Sequence, residues 1–230
     1  MMHVTSIFLP LPIMFYLTSQ TTIPTEEIEF HSVAWSLFLV NLLAAILFFV
    51  IISRKKDFFK VFKGKAASFG ATIGWGFLAF VLALIGQMAA GIIEEKLFGI
   101  EVGSDNTALL SSIAEISPII IISMVIFAPL LEEIIFRRVL FGGIYTKSNV
   151  WIAAIVSALV FAVVHMELEH TLVYMAPALA FSFVYYKSKR LLAPMIGHFL
   201  MNGFVVIIQL NYDKILEMQK LQQAFIAFFQ

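Results

Sequence analysis

Long apolar runs, broken by short polar clusters, dominate the chain. Seven can be marked, at roughly 6–22, 33–52, 69–92, 117–141, 150–166, 171–186 and 191–210. A bilayer crossing takes about 20 predominantly apolar residues, with ~17 as a lower limit. The pattern therefore predicts an all-α, polytopic membrane helix bundle of about seven transmembrane helices, within a range of six to eight. Pro10 and Pro12 interrupt the first run. No Lys or Arg precedes that run, so an uncleaved first span is expected rather than a signal peptide. The fifth and sixth runs are short and separated only by the polar segment 166–170. Over 215–230, Glu217, Gln219, Lys220, Gln222 and Gln223 mix with Ile, Leu and Phe, which suits an interfacial helix. The expected organisation is one compact membrane domain, with spans and loops over 1–116, a core over 117–210 and an interfacial tail over 211–230.

Composition agrees with the pattern. Hydrophobic residues make up 61% and charged residues 13%, against about 45–50% and ~25% in globular domains, and the mean hydropathy is +0.96. There are no cysteines, which excludes disulfides, iron–sulfur clusters and thiolate metal sites. Net charge is zero, but its placement is ordered. Arg54, Lys55, Lys56, Lys60, Lys63 and Lys65 follow the second run, Lys147 follows the fourth, and Lys187, Lys189 and Arg190 follow the sixth. The positive-inside rule puts these loops in the cytoplasm. The alternating loops hold Glu26, Glu27 and Glu29, then Glu94, Glu95, Glu101 and Asp105, then Glu167 and Glu169. That alternation implies a cytoplasmic N-terminus in a cytoplasmic membrane of bacterial type. The 54–65 segment would also attract anionic lipid. No internal repeat is visible, which counts against the inverted-repeat plan of many transporters.

Charges inside an apolar run carry the chemistry. Glu132, Glu133 and Arg137 lie in the fourth run, where each ionisable group costs at least ~2.5–3.5 kcal/mol on insertion scales. On a helix Glu133 and Arg137 stand four apart with the acid first, the favourable order for an ion pair. Glu132, turned ~100° away, is left without a local partner and suits a general base facing a cavity. Phe161 and His165 share one face of the fifth run. His198 and Asn202 share one face of the seventh, after Pro194, and offer the donors that an oxyanion site needs. Singly, each pattern also has a structural reading: a helix-pairing ion pair, a snorkelling histidine, or an interhelical hydrogen bond. His170 lies in a polar turn and is expected to be solvated.

Together, Glu-Glu-x-x-x-Arg, Phe-x-x-x-His and His-x-x-x-Asn, in this order over roughly 117–206, resemble the CPBP family, the CAAX prenyl protease 2 and bacteriocin-processing group also called Abi. The resemblance implies an intramembrane endopeptidase with a polar cavity open to cytosol and lipid, acting on a peptide or membrane-protein substrate. A C-terminal CAAX-like tail and a bacteriocin or signal-peptide leader both fit; nucleic acid is not an expected partner. By position, Glu132 would activate water with His165 helping to hold it, and His198 and Asn202 would stabilise the oxyanion. Glu133, Arg137 and Phe161 would support the site. The family was long described as metalloendopeptidases, and a glutamate-dependent mechanism is the competing account.

The residues bear on that choice. A zinc site would draw on Glu132, His165 and His198, yet zinc proteases normally place His-Glu-x-x-His on one helix, and here three helices contribute. No cofactor is therefore expected. Two departures from the family pattern stand out: Arg138 where glycine is common, with Gly142 and Gly143 appearing later, and Met-Glu-Leu-Glu after His165. There is also a tension in depth. At 1.5 Å per residue Glu132 lies roughly 18 Å, and His165 roughly 24 Å, from the inner end of its helix, so a tilt of ~20° or a kink near Gly142 and Gly143 is expected. Competing functions are a bacteriocin self-immunity or scaffold protein, which would bind a partner without cleavage, and a proton-coupled transporter.

Overall fold

In the computed structural model, which describes residues 10–20, 23–101 and 103–228, nine helices follow one another and no strand occurs among the described residues. They are α1 (Pro10–Gln20), α2 (Thr25–Ser53), α3 (Phe69–Phe98), α4 (Asp105–Ile116), α5 (Ile119–Tyr145), α6 (Val150–Val163), α7 (Thr171–Ser188), α8 (Leu192–Gln209) and α9 (Tyr212–Phe228). Every apolar run read from the sequence is mostly helical where described; residues 6–9 and 21–22 of the first run lie outside the described residues. Helices α2, α3, α5 and α8 are long and apolar enough to cross a membrane. Helices α1 and α6 are shorter, at 11 and 14 residues, and α7 carries Tyr174, Ser182, Tyr185, Tyr186 and Lys187, which lower its hydropathy.

The long helices are apolar on all sides, and their outward faces stay apolar. Leu43, Leu47 and Phe49 of α2, Ile73, Phe77, Ile85 and Met88 of α3, and Trp151, Ile155 and Leu159 of α6 are exposed. Rows of exposed large side chains of this kind belong against lipid, because water would make them an aggregation surface. Inside, small residues bring backbones together. A Cβ on Gly197 would lie 2.5 Å from Ala79 Cβ, and one on Gly76 would lie 2.6 Å from the Ile196 side chain. Helices α3 and α8 thus touch along Gly76, Ala79 and Gly197, the small-residue contact that membrane helices use in place of hydrophobic collapse.

Helix α5 is irregular in a way that the sequence did not announce. Wider π-turns span Ser123–Phe127 and Glu133–Phe141, with ordinary α-helix between and after them. The chain runs on helically through Gly142, at φ −60° and ψ −40°, to Tyr145. At the first π-turn the Ala128 amide bonds the Ser123 carbonyl, five residues back. The next residue, Pro129, has no amide hydrogen, so the Met124 carbonyl loses both donors that its own helix could offer.

The basic segment between α2 and α3 is more than a lipid-attracting loop. Phe58, Val61 and Phe62 turn under the bundle and pack with Phe141, Tyr145, Tyr185 and Tyr186. Arg138 donates to the Phe58 carbonyl and lies 4.6 Å over the Phe58 ring, while Lys189 and Arg190 donate to the carbonyls of Lys63 and Ala67. The arginine that departs from the family pattern therefore fastens this segment.

At the opposite end His170 corrects the expectation of a solvated residue. It is buried, with Nδ1 3.0 Å from Glu94 Oε2. Glu94, placed in an acidic loop by the sequence reading, is a buried residue of α3; its Oε1 accepts from the amides of Leu172 and Val173. A carboxylate thus caps the N-terminus of α7, where it meets the positive end of the helix dipole.

Candidate active site

The charged residues of α5 meet α6, α7 and α8 in the middle of this bundle. Glu133 and Arg137 are both fully buried, with Arg137 Nε 3.2 Å from Glu133 Oε2. That contact is not aligned as a hydrogen bond, so the attraction is mainly Coulombic. The guanidinium is further held by the rings of Phe161, 5.0 Å away, and Phe181, 5.4 Å away, and Nη2 donates to the Ala178 carbonyl at 3.2 Å. Two aromatic faces suit a charge shut away from water.

His198 links the two acids. Its Nδ1 lies 2.9 Å from Glu133 Oε1, and its Nε2 lies 3.6 Å from Glu132 Oε2. Because a carboxylate oxygen only accepts, Nδ1 carries the hydrogen of the shorter contact. Phe181 stacks on the imidazole, with centroids 4.8 Å apart and planes 25° apart. Glu132 differs from its neighbour in exposure: its side chain is 27% accessible, while that of Glu133 is closed off. The separation of the two acids expected from helix geometry is thus present, one locked in the core and one open.

His165 follows the end of α6, one residue past its cap. Its Nδ1 meets the Phe161 carbonyl at 2.7 Å, and that acceptor fixes the hydrogen on Nδ1 in the neutral ring and leaves the lone pair on Nε2. The imidazoles of His165 and His198 both pack on the Phe161 ring, at 4.6 and 6.1 Å. Asn202 donates from Nδ2 to the Met124 carbonyl at 2.8 Å, the group that Pro129 leaves without a donor. That bond turns the amide nitrogen toward α5 and keeps a second N–H in reserve.

Glu132, Glu133, Arg137, Phe161, His165 and His198 therefore lie close together, with Asn202 one turn along α8 from His198. Among the described residues no group of three or more His, Asp or Glu is disposed to hold an ion. One His198 nitrogen is bonded to Glu133, and the other faces Glu132. The sequence reading missed Ser104, Asn106, Glu167 and Tyr174, which surround His165. A signal for the first was present, since Ser104 followed by Asp105 is a helix N-cap signature, and the Ser104 hydroxyl accepts from the Thr107 amide.

Comparison with known proteins decides the family. The chain is 35% identical over 207 residues to the Bacillus subtilis (strain 168) protein named "Putative membrane peptidase YdiL", covering 90% of this chain and 84% of that one. It belongs to the Rce1-like CAAX prenyl endopeptidase family. The family description, Type II CAAX prenyl endopeptidase Rce1-like, matches residues 114–204, which hold all three motifs. A Staphylococcus aureus (strain USA300) protein named "Membrane-embedded CAAX protease MroQ" is 40% identical over 160 residues, 67% of this chain and 65% of that protein. No solved structure matches the chain. This Rce1-like chain is an integral membrane protein and an intramembrane protease.

Proposed function

We propose that this Rce1-like protease hydrolyses a membrane-associated peptide through water activated by Glu132, without a metal ion. Water held between Glu132 and the Nε2 lone pair of His165 attacks the scissile carbonyl carbon as its proton passes to the Glu132 carboxylate. The carbonyl oxygen becomes an oxyanion, which the second N–H of Asn202 and Nε2 of His198, when it carries a hydrogen, stabilise by donation. Collapse breaks the C–N bond, and the proton on Glu132 moves to the leaving nitrogen, so the products are one acid and one amine. Glu133 and Arg137 hold His198 in place rather than exchanging protons with substrate. The observation that carries this reading is that only one acid of the pair, Glu132, is open to a substrate.

The substrate class that fits best is a hydrophobic peptide that enters from the lipid. The names of the family and of the Staphylococcus relative point to a C-terminal CAAX tail. The basic residues after α2, α5 and α7 support a cytoplasmic side for these loops and for the N-terminus, and a bacterial cytoplasmic membrane is the matching location.

The test uses quenched fluorogenic hydrophobic peptides, with and without a farnesylated CAAX terminus, and full-length protein in detergent. Glu132→Gln should abolish cleavage while thermal unfolding stays near wild type. Full cleavage by the folded variant overturns the assignment. Treatment with a chelator should leave wild-type cleavage intact, and loss restored by stoichiometric zinc would return Glu132, His165 and His198 to the role of ligands.

A further inference from the structure

Beside His165 lies a hydrogen-bonded cluster that the cleavage steps do not use. Glu167 Oε2 accepts from the Tyr174 hydroxyl at 2.5 Å and from the Ser104 hydroxyl at 2.8 Å, and Oε1 accepts from the Asn106 amide at 2.7 Å. Both ends of the carboxylate are thus engaged by the first turn of α7 and the start of α4. Two arms reach from this centre to His165. The Tyr174 ring stacks on the imidazole, with centroids 4.2 Å apart and planes 26° apart, and Asn106 Nδ2 donates to the His165 carbonyl at 2.8 Å. Phe161 contacts the imidazole through its ring and its carbonyl.

The backbone between His165 and Glu167 shows why holding is needed. Met166 has φ +62°, a left-handed conformation that a side chain of its kind rarely adopts. Such a conformation persists where the surroundings over-determine it, and it concentrates at functional sites. The turn delivers His165 beyond the regular end of α6, where its amide still donates to the Ala162 carbonyl at 3.1 Å. Without the cluster the imidazole would keep its tether to Phe161 but lose the stacking ring.

We infer that Glu167 is a positioning residue for His165, acting through the Tyr174 ring on the imidazole and through Asn106 on the backbone. The inference rests on the reading above that His165 holds the attacking water. Catalytic groups displaced by about 1 Å lose up to roughly a hundredfold in rate, so the cluster matters to turnover while making no contact with substrate. The Met-Glu-Leu-Glu segment, a departure from the family pattern, is the part of this chain that supplies the centre of the cluster.

The experiment compares full-length wild type with Glu167→Ala, Tyr174→Leu, Tyr174→Phe, Asn106→Ala and the double variant Glu167→Ala/Tyr174→Leu, using the fluorogenic peptides. The expected result is kcat lowered roughly 10- to 100-fold with KM within about twofold. Tyr174→Phe, which keeps the stacking ring, should lose less than Tyr174→Leu. The double variant should be no slower than its slower parent, since both changes act through His165. Wild-type kcat in folded Glu167→Ala and Tyr174→Leu overturns the proposal, as do losses that multiply in the double variant.

A second arm needs no substrate and, besides His165→Gln for assignment, only one variant that folds. In protein labelled with 15N-histidine, the imidazole signal that His165→Gln removes should move or broaden in Glu167→Ala or Tyr174→Phe, while the His198 signal stays. An unmoved His165 signal overturns the proposal. Wild-type cleavage by His165→Gln would instead refute the catalytic reading of His165, and the labelling arm would still judge the clamp.

Discussion

Asn202 reaches across from α8 to donate to the Met124 carbonyl of α5 at 2.8 Å, and Pro129 is the reason that carbonyl is free. The proline lies three residues before Glu132, and the π-turn ahead of it spans Ser123–Phe127. A defect in the backbone of α5 is therefore filled by a side chain that stands four residues from His198, and the two helices are locked together beside the acids. An unfilled carbonyl in a bundle core would cost the desolvation of a polar group, about 1–3 kcal/mol.

Asn202→Leu should accordingly lower stability by about that amount as well as slowing cleavage, because it orphans the Met124 carbonyl. Asn202→Gln, which retains a donor, should recover part of the stability. Thermal unfolding in detergent separates the cases, and equal unfolding of wild type and Asn202→Leu would show that the bond contributes nothing to folding.

Glu133→Gln should destabilise the protein far more than Glu132→Gln. Arg137 would be left buried without its counter-ion, and breaking one side of a buried pair costs roughly 3–5 kcal/mol. Glu132 is partly open and has no such dependant. Denaturant titrations of the two variants that superimpose would remove the distinction between a locked and an open acid.

Gly197→Ala places a methyl group 2.5 Å from Ala79 Cβ and 2.9 Å from the Gly76 carbonyl. Helix α8 has to move outward, carrying the neighbouring His198 away from Glu133. Overpacking of this kind costs roughly 1–3 kcal/mol, and activity should fall with it. A companion change, Ala79→Gly, removes the nearer obstacle and should restore part of both readouts.

Acid should loosen the end of the bundle that holds Glu167. Burial alone would raise its carboxyl, but hydrogen bonds from Tyr174, the Asn106 amide and Ser104, with His170 nearby, hold it below the usual value of 4.5. A depressed group stabilises the fold above its unfolded value, and that contribution is lost as pH falls through the folded one. Unfolding temperatures of wild type should therefore drop more steeply than those of Glu167→Gln as pH falls from about 5 to about 3. Parallel profiles would contradict the assignment.

Orientation can be read with introduced cysteines, since the chain has none of its own. Lys60→Cys, in the exposed part of the basic loop, should resist membrane-impermeant thiol reagents in intact cells and react after permeabilisation. Labelling from outside would invert the bundle.

Much of the site was legible because its partners lie close along one helix. The spacing of Glu133 and Arg137 announces their pairing, and with it the isolation of Glu132. What depended on distant packing was hidden. His170 looked solvated because its neighbours in the chain are polar, whereas its partner Glu94 lies 76 residues away. His198 reads as a free donor until α8 docks and both its nitrogens face acids. Helix α4 was passed over because its 12 residues are too polar to read as a span, although its N-cap was visible. The π-turns had no periodic signature at all; Pro129 hints only that a helix has a missing bond, not which side chain will fill it.

The contact at Gly76, Ala79 and Gly197 gives the protein a back and a front. With α3 pressed against α7 and α8, the face of α8 behind His198 is backed by a second helix. A peptide threaded between α3 and α8 would have to part backbones already in contact at Gly76 and Gly197, so the route proposed for the substrate avoids that seam.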